Sequence, residues 1–352
     1  MPHIDLNTLT QWITTAAVKH PKRLHLEMAE HLGVTRRTAH RVLAGLVEAK
    51  WLVNDGSVRY PNYRPGALRQ VYKTYDLPGL SEDVPWLIDF APYIAQPPAV
   101  LRMVQHTFCE LMNNANDHSG GSQVTVSLRQ TATHAQLMVT DNGCGLFRQI
   151  EDHFAIPHPR LAMLELSKGK LTSRPDDHCG QGLFITSKLA DVFGLHANDA
   201  AFQRRASDGE HWRALGSLKQ ASTSPAGASQ AGTSVFASFA LDTSRTLTDV
   251  RTAYSLDGMG ASFDRTVVPL RLLASDGIGL ESRAQARRVA ARLNRFRRAE
   301  VDFGGVADIG QAFADELFRV LARHQPDLDL VPVNMSKVVS AMIGGVTQGV
   351  AH

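Results

Sequence analysis

Three short motifs, in a fixed order and each in its own local setting, constrain this chain of 352 residues more than any other feature. The first is Glu110-Leu111-Met112-Asn113-Asn114-Ala115-Asn116-Asp117-His118-Ser119. It lies on a stretch that reads as a helix starting after Pro98, with Val100, Val104, Phe108, Leu111 and Met112 apolar. Glu110, Asn114 and His118 follow each other at i, i+4 and i+8, so they drift slowly along one helical face. A carboxylate and an amide oxygen one turn apart can hold a magnesium ion with its waters. The carboxylate can also orient or deprotonate an attacking hydroxyl or water. The second motif, Asp141-Asn142-Gly143-Cys144-Gly145, directly follows the strand-like Ala135–Val139. An aspartate at a strand end can accept a hydrogen bond from an exocyclic amine, and the glycines let backbone approach a planar ring. The third, Gly180-Gln181-Gly182-Leu183-Phe184-Ile185-Thr186, opens a predicted helix through Leu189, Ala190 and Val192. Glycines before a helix N-terminus leave backbone N–H groups and a favourable dipole for phosphates.

Taken singly, these motifs are two ordinary turns and an exposed helix face. Taken together, in order and in context, they point to an ATP site. The set resembles the Bergerat-fold (GHKL, histidine-kinase-like) ATPases shared by gyrase, Hsp90, histidine kinases and MutL. Its ExxxNAxxHS form is most similar to the anti-sigma-factor serine kinases of bacterial partner switching. The resemblance spans residues 95–245. It implies an α/β sandwich with helices on one face of a mostly antiparallel sheet. It implies ATP with Mg2+, Asn114 as the magnesium ligand, and Glu110 as catalytic base or as the residue orienting the nucleophile. Asp141 would read the adenine amine, Gly143 and Gly145 would shape the pocket, and Gly180 and Gly182, with Leu183 beside them, would meet the phosphates. The segment between Phe147 and Cys179 would be the ATP lid. In it, Lys168, Lys170 and Arg174 could reach phosphate oxygens on closure, or could form a solvated charge run. His118, His153, His158 and His178 show no HxxxH or HxH pair and read as hydrogen-bonding or surface residues. Cys144 and Cys179 read as inert small residues beside the pocket. Residues 67–97 hold four separated prolines and no helix with a phospho-accepting histidine, which counts against an autophosphorylating histidine kinase.

Charge separates what flanks this unit. Residues 1–66 carry nine Lys/Arg against five Asp/Glu; residues 67–246 carry fifteen against seventeen; residues 247–352 carry thirteen against twelve. The basic first segment suits nucleic acid. Residues 7–18 read as an amphipathic helix, Leu24–His31 as a second, Gly33 as a tight turn, and Thr35 as the cap of a third helix reaching about Lys50. Leu52–Val58 reads as a hairpin with Asp55-Gly56 at its turn. Three helices plus a hairpin is the winged-helix pattern, and Met28–Ala39 resembles the turn and recognition helix of bacterial transcription regulators. Arg36, Arg37, His40 and Arg41 then face outward as candidate DNA contacts. The competing use is protein docking or dimerisation.

The polar tract Ser217–Ser234 reads as a flexible hairpin insertion, flanked by strand-like His211–Leu215 and Val235–Phe239. Beyond residue 246, Ser282–Phe296 reads as an arginine-rich helix. Glu300–Phe303 and Leu328–Asn334 read as strands, and Gln311–Leu321 and Ser336–Ile343 as helices. Val301–Phe318 resembles STAS-like (DUF4325-type) domains found with such ATPases, which implies a protein partner. True STAS proteins accept phosphate on a serine at the start of the corresponding helix; Ala307–Ala312 has no Ser or Thr, which suits docking or an intramolecular switch better. Arg283, Arg287, Arg288, Arg292, Arg295, Arg297 and Arg298 form a stripe for DNA backbone or an acidic partner, or a helix face offset by local acids.

The expected architecture is therefore multidomain α/β: a winged helix-turn-helix (1–66), a Bergerat-fold ATP-binding domain (67–246) and a STAS-like regulatory domain (247–352). The apolar runs are far short of a membrane span. No leader pattern follows Met1, and three cysteines without CxxC spacing suit a reducing cytoplasm. Winged helices and Bergerat ATPases are often homodimers, although no heptad seam is present. Three functions fit: an ATP-gated transcription regulator, a partner-switching serine/threonine kinase acting on a separate STAS protein, and a slow ATPase within a defence or stress assembly.

Overall fold

The structure is a computed structural model that describes residues 6–57, 59–81, 83–172, 180–209, 211–215, 232–274 and 279–348. The chain forms two compact units, Met1–Gly143 with Ser234–Ser244, and Cys144–Thr233 with Arg245–His352.

The first unit begins with α1 (Leu6–Lys19), α2 (Leu24–Leu32) and α3 (Arg36–Glu48). Gly33 ends α2 in the left-handed region at φ 60°, a conformation that costs glycine little. Thr35 caps α3, its hydroxyl accepting from the Thr38 amide at 3.3 Å. Ile13, Leu24, Met28 and Leu43 are fully buried between the helices, each contributing about 1.5–3 kcal/mol. β1 (Leu52–Asn54) pairs antiparallel with β2 (Tyr63–Pro65). The hairpin expected over Leu52–Val58 is thus corrected. Asp55-Gly56 does not join the strands; the connection runs from Asp55 to Asn62, and Val58 lies outside the described residues. Asn54 decides this, because its Oδ1 accepts from the amides of both Gly56 and Asn62 at 3.0 Å.

β3 (Arg69–Asp76), β4 (Gln123–Gln130), β5 (His134–Asp141) and β9 (Thr233–Ala240) follow as an antiparallel sheet in that spatial order. The buried Thr14 of α1 accepts from the Gln70 amide at 3.0 Å and ties the helices to edge strand β3. After the single turn α4 (Asp83–Pro85), Trp86 and Phe90 pack on Phe108 of α5 (Pro98–His118), with ring centroids 5.3 and 5.0 Å away. Val100, Val104, Phe108, Leu111 and Met112 form the buried face of α5, as the spacing predicts.

The second unit starts with α6 (Leu146–Phe154), α7 (Pro159–Lys168) and α8 (Gly182–Leu189). α8 ends sooner than expected, and Val192 opens a strand. β6 (Val192–Ala197), β7 (Ala200–Arg205) and β8 (Trp212–Leu215) pair antiparallel in sequence order. Residues 216–231 of the polar tract lie outside the described residues. Its flanking strands have different partners, β8 with β7 and β9 with β5, so the hairpin expected across the tract is not formed.

α9 (Leu247–Ala253) leads into a parallel sheet of β10 (Arg265–Pro269), β11 (Arg298–Asp302) and β12 (Asp329–Val333). Parallel neighbours need crossovers. These are α10 (Arg283–Ala290) and the run of α11 (Gln311–Ala314), a π-helical stretch and α12 (Leu321–His324), with α13 (Lys337–Gln348) closing the fold. The arginine-rich helix stops at Ala290 rather than Phe296, because Ala291 turns extended and Arg292 adopts φ 61°. The arginine stripe is largely offset by acids: Arg283 pairs with Asp315, Arg287 with Glu316, and Arg298 with Glu300 and Asp329.

Candidate functional site

In the first unit the structure joins the first two motifs. Ser119, at the end of α5, donates to the Ala115 carbonyl at 2.6 Å and accepts from the Gly121 amide at 3.0 Å. Gly143 lies against this turn so closely that a Cβ there would stand 2.1 Å from the Ser119 carbonyl oxygen. Asp141 is buried at the end of β5, and its Oδ1 accepts from the Gly143 amide at 2.9 Å. Asn142, which the sequence reading passed over, accepts through Oδ1 from the Ser122 and Gln123 amides at 2.9 Å. The Asp141–Gly143 turn is therefore fixed from both sides. On α5, Glu110, Asn114 and His118 are half-buried along one face, and His106 Nδ1 stands 3.8 Å from Glu110 Oε1.

In the second unit, Gly145 precedes α6 at φ 88°, and a Cβ would meet the Asn198 amide at 2.4 Å. Asn198 was also missed. Its Nδ2 donates to the Cys144 carbonyl at 2.9 Å, and its Oδ1 accepts from the Arg148 amide at 3.1 Å. The Asn198-Asp199 pair was legible as a turn between strands, but nothing local marked what its side chain would hold. Gly180 adopts φ 68° against the backbone of Leu171, 2.8 Å from where its Cβ would stand. α8 then opens at Gly182, with Leu183 next, and no side chain caps its first amides. Those amides are the donors that an oxyanion would need. Cys144 is exposed; His178, Cys179 and Arg174 lie outside the described residues.

The lid lysines depart from the sequence expectation. Lys168 is 1% exposed, so it is neither a free phosphate-seeking group nor part of a solvated charge run. Its ammonium donates to Glu165 Oε1 at 2.6 Å and to the Ala291 carbonyl, released at the end of α10, at 2.9 Å. Arg292 closes the triad at 3.2 Å from Glu165 Oε2. Burial pushes the Lys168 pKa down, and Glu165 opposes that shift. Lys170 is half-buried, and its ammonium donates to the Arg295 carbonyl at 2.6 Å.

The comparison with protein families can now be set beside this geometry. Residues 99–241 match the family model described as Histidine kinase-, DNA gyrase B-, and HSP90-like ATPase. The chain carries a GHKL-type ATPase domain. Residues 285–340 match the STAS-like domain of unknown function, DUF4325. No curated protein matches the chain. The ATPase match takes in Glu110, Asn114, Asp141, Gly143, Gly145, Gly180 and Gly182, and it begins well after the basic N-terminal helices. Among the described residues no helix is long and apolar enough to cross a membrane.

The candidate DNA contacts occupy one end of α3. Arg36, Arg37, His40 and Arg41 are all exposed there. His40 stacks on His25, with centroids 4.9 Å apart. Burial, then the charges of His40, Arg36 and Arg23, lower the His25 pKa.

Proposed function

We propose that this chain is an ATP-dependent regulator, in which Mg–ATP occupancy of the GHKL-type domain changes the hold of the N-terminal helices on DNA. One observation carries the reading: residues of the C-terminal region hold Lys168, Gly169 and Lys170, and the next residue, Leu171, packs on Gly180. A ligand that shifts that segment must do work on those contacts, and linkage makes the effect reciprocal. The residues present fit the nucleotide. The uncapped start of α8 suits phosphates, and the buried, amide-braced Asp141 suits a fixed hydrogen bond to an adenine amine. Asn114 would hold Mg2+ together with phosphate oxygens and water, the coordination this ion accepts. When bound, Mg–ATP supplies an activated γ-phosphoryl group, and Glu110 would orient or deprotonate what attacks it. The exposed arginines at the start of α3, after a capped turn and beside a two-stranded hairpin, support a winged helix on DNA. Such a role belongs in the cytoplasm, and a homodimer would suit a two-fold DNA site.

Glu110, half-buried on α5 with His106 Nδ1 3.8 Å from its Oε1, also suits a second reading, a partner-switching serine/threonine kinase in which it orients or deprotonates an acceptor hydroxyl. Labelled γ-phosphate incubated with the chain and host lysate separates the two. A labelled partner protein, lost in Glu110→Ala, establishes the kinase. DNA affinity that changes between ADP and a non-hydrolysable ATP analogue, and not in Asp141→Ala, establishes the gated regulator. DNA affinity indifferent to nucleotide in the wild type refutes it.

A further inference from the structure

Sequence logic offers Lys170 a phosphate or a solvated surface; in the structure its ammonium is engaged by the C-terminal region. Lys170 and Arg295 exchange hydrogen bonds, Lys170 Nζ to the Arg295 carbonyl at 2.6 Å and Arg295 Nη1 to the Lys170 carbonyl at 2.8 Å. The same ammonium lies 4.6 Å from the Phe296 ring centroid and 5.7 Å from that of Phe263. One residue earlier, Gly169 at φ 77° passes so near Phe263 that a Cβ would stand 2.7 Å from its ring. One residue before that, the Lys168 carbonyl accepts from the Thr266 hydroxyl at 2.7 Å. Lys168, Gly169 and Lys170 are thus laid along β10 and the turn before β11.

The next residue, Leu171, supplies the backbone on which Gly180 rests. On the far side of the glycine turn, Phe184 of α8 meets Tyr254 and Phe263 edge to face at 4.7 and 5.0 Å. Downstream of the turn Phe184 packs on Phe263, and upstream Gly180 rests on Leu171, the residue after Lys170, whose ammonium lies over the same Phe263 ring.

We propose that Lys170 is a positioning residue for the Gly180–Gly182 turn, and that Arg295, Phe296 and Phe263 of the C-terminal region hold it in place. This rests on the ATP reading, because the turn matters for function as the phosphate-binding element. Pre-organising a phosphate loop spares a ligand the cost of ordering it. A lysine that acts this way serves every nucleotide equally. A lysine that touches the γ-phosphate discriminates ATP from ADP.

The test uses the full chain with Lys170→Met and Arg295→Ala. ADP and a non-hydrolysable ATP analogue are titrated with magnesium, and hydrogen exchange of residues 165–172 is followed without nucleotide. The proposal expects faster exchange in both variants and a parallel loss of ADP and ATP affinity of about fivefold, the order seen for residues acting through neighbours. Arg295→Lys, which keeps a donor for the Lys170 carbonyl, recovers part of both losses. Lys170→Met losing ATP alone, while Arg295→Ala binds normally or more tightly, overturns the proposal and makes Lys170 a phosphate ligand. Unchanged exchange and affinity in both variants overturns it as well. A wild-type chain that binds neither nucleotide removes the ATP reading, and the exchange comparison then decides on its own whether the C-terminal region holds this segment.

Discussion

Glu165→Gln removes the anion at the centre of the buried triad and tests whether α7 is clamped as described. Glu165 and Lys168 have side chains 6% and 1% exposed and meet at 2.6 Å. Deleting one partner of a buried pair leaves the other charge uncompensated, typically at a cost of about 3–5 kcal/mol. Here Lys168 keeps its bond to the Ala291 carbonyl, and Arg292 is 29% exposed and can turn to water. The lower end, about 3 kcal/mol, is therefore expected, which lowers the melting temperature of a domain this size by about 6–12 °C. The companion double variant, Glu165→Leu with Lys168→Met, removes both desolvation costs and should return to within about 1 kcal/mol of wild type. Urea and thermal unfolding of the full chain read both. A cost below about 1 kcal/mol for Glu165→Gln, or a double variant no better than the single, would refute the buried-pair account.

Gly143→Ala forces a Cβ to within 2.1 Å of the Ser119 carbonyl oxygen, where no side chain can rotate away, so it should cost about 1–3 kcal/mol in thermal unfolding and weaken nucleotide binding. Asn198→Ala removes the brace on Cys144 and Arg148 and should cost about 1 kcal/mol, with faster hydrogen exchange at residues 144–149. Lys188 is buried, and burial followed by Arg204 holds its pKa well below the ordinary lysine value, with Asp302 opposing. Between that lowered value and the unfolded one, the unfolded chain binds a proton that the folded chain does not. Stability should therefore rise with pH across that window, and Lys188→Met should flatten the rise in urea titrations. Tyr254 acts in the opposite sense at higher pH: burial raises its pKa to about 12, so stability falls once the unfolded tyrosine ionises near pH 10.

The parts of the fold written in local rules were legible in the sequence. Thr35 and Gly33 bracket α3 and α2 as capping chemistry requires, and the apolar face of α5 follows its spacing. The alternation of strands and helices from Glu300 onward pointed to an α/β layer, and β11 and β12 lie where it placed them, but β10 (Arg265–Pro269), which completes the parallel three-stranded sheet, was not read from the sequence. What stayed hidden depends on contacts distant in sequence. The β1–β2 connection is set by one side chain, Asn54, holding an amide eight residues on. Lys168 and Lys170 read as phosphate ligands or a solvated charge run because the carbonyls that hold them, those of Ala291 and Arg295, lie more than a hundred residues away. The arginine-rich segment read as one helix because periodicity does not reveal that Arg292 leaves helical geometry to reach Glu165.

The central claim, that this chain binds Mg–ATP through its GHKL-type domain, is tested most directly by calorimetric titration of the full chain. Wild type and Asp141→Asn are each titrated with ADP and with a non-hydrolysable ATP analogue, with and without magnesium. The account predicts one saturable, magnesium-strengthened site per chain in the wild type and its loss in Asp141→Asn, with the fold intact by circular dichroism. Absence of binding in the wild type, or equal binding in Asp141→Asn, would contradict it.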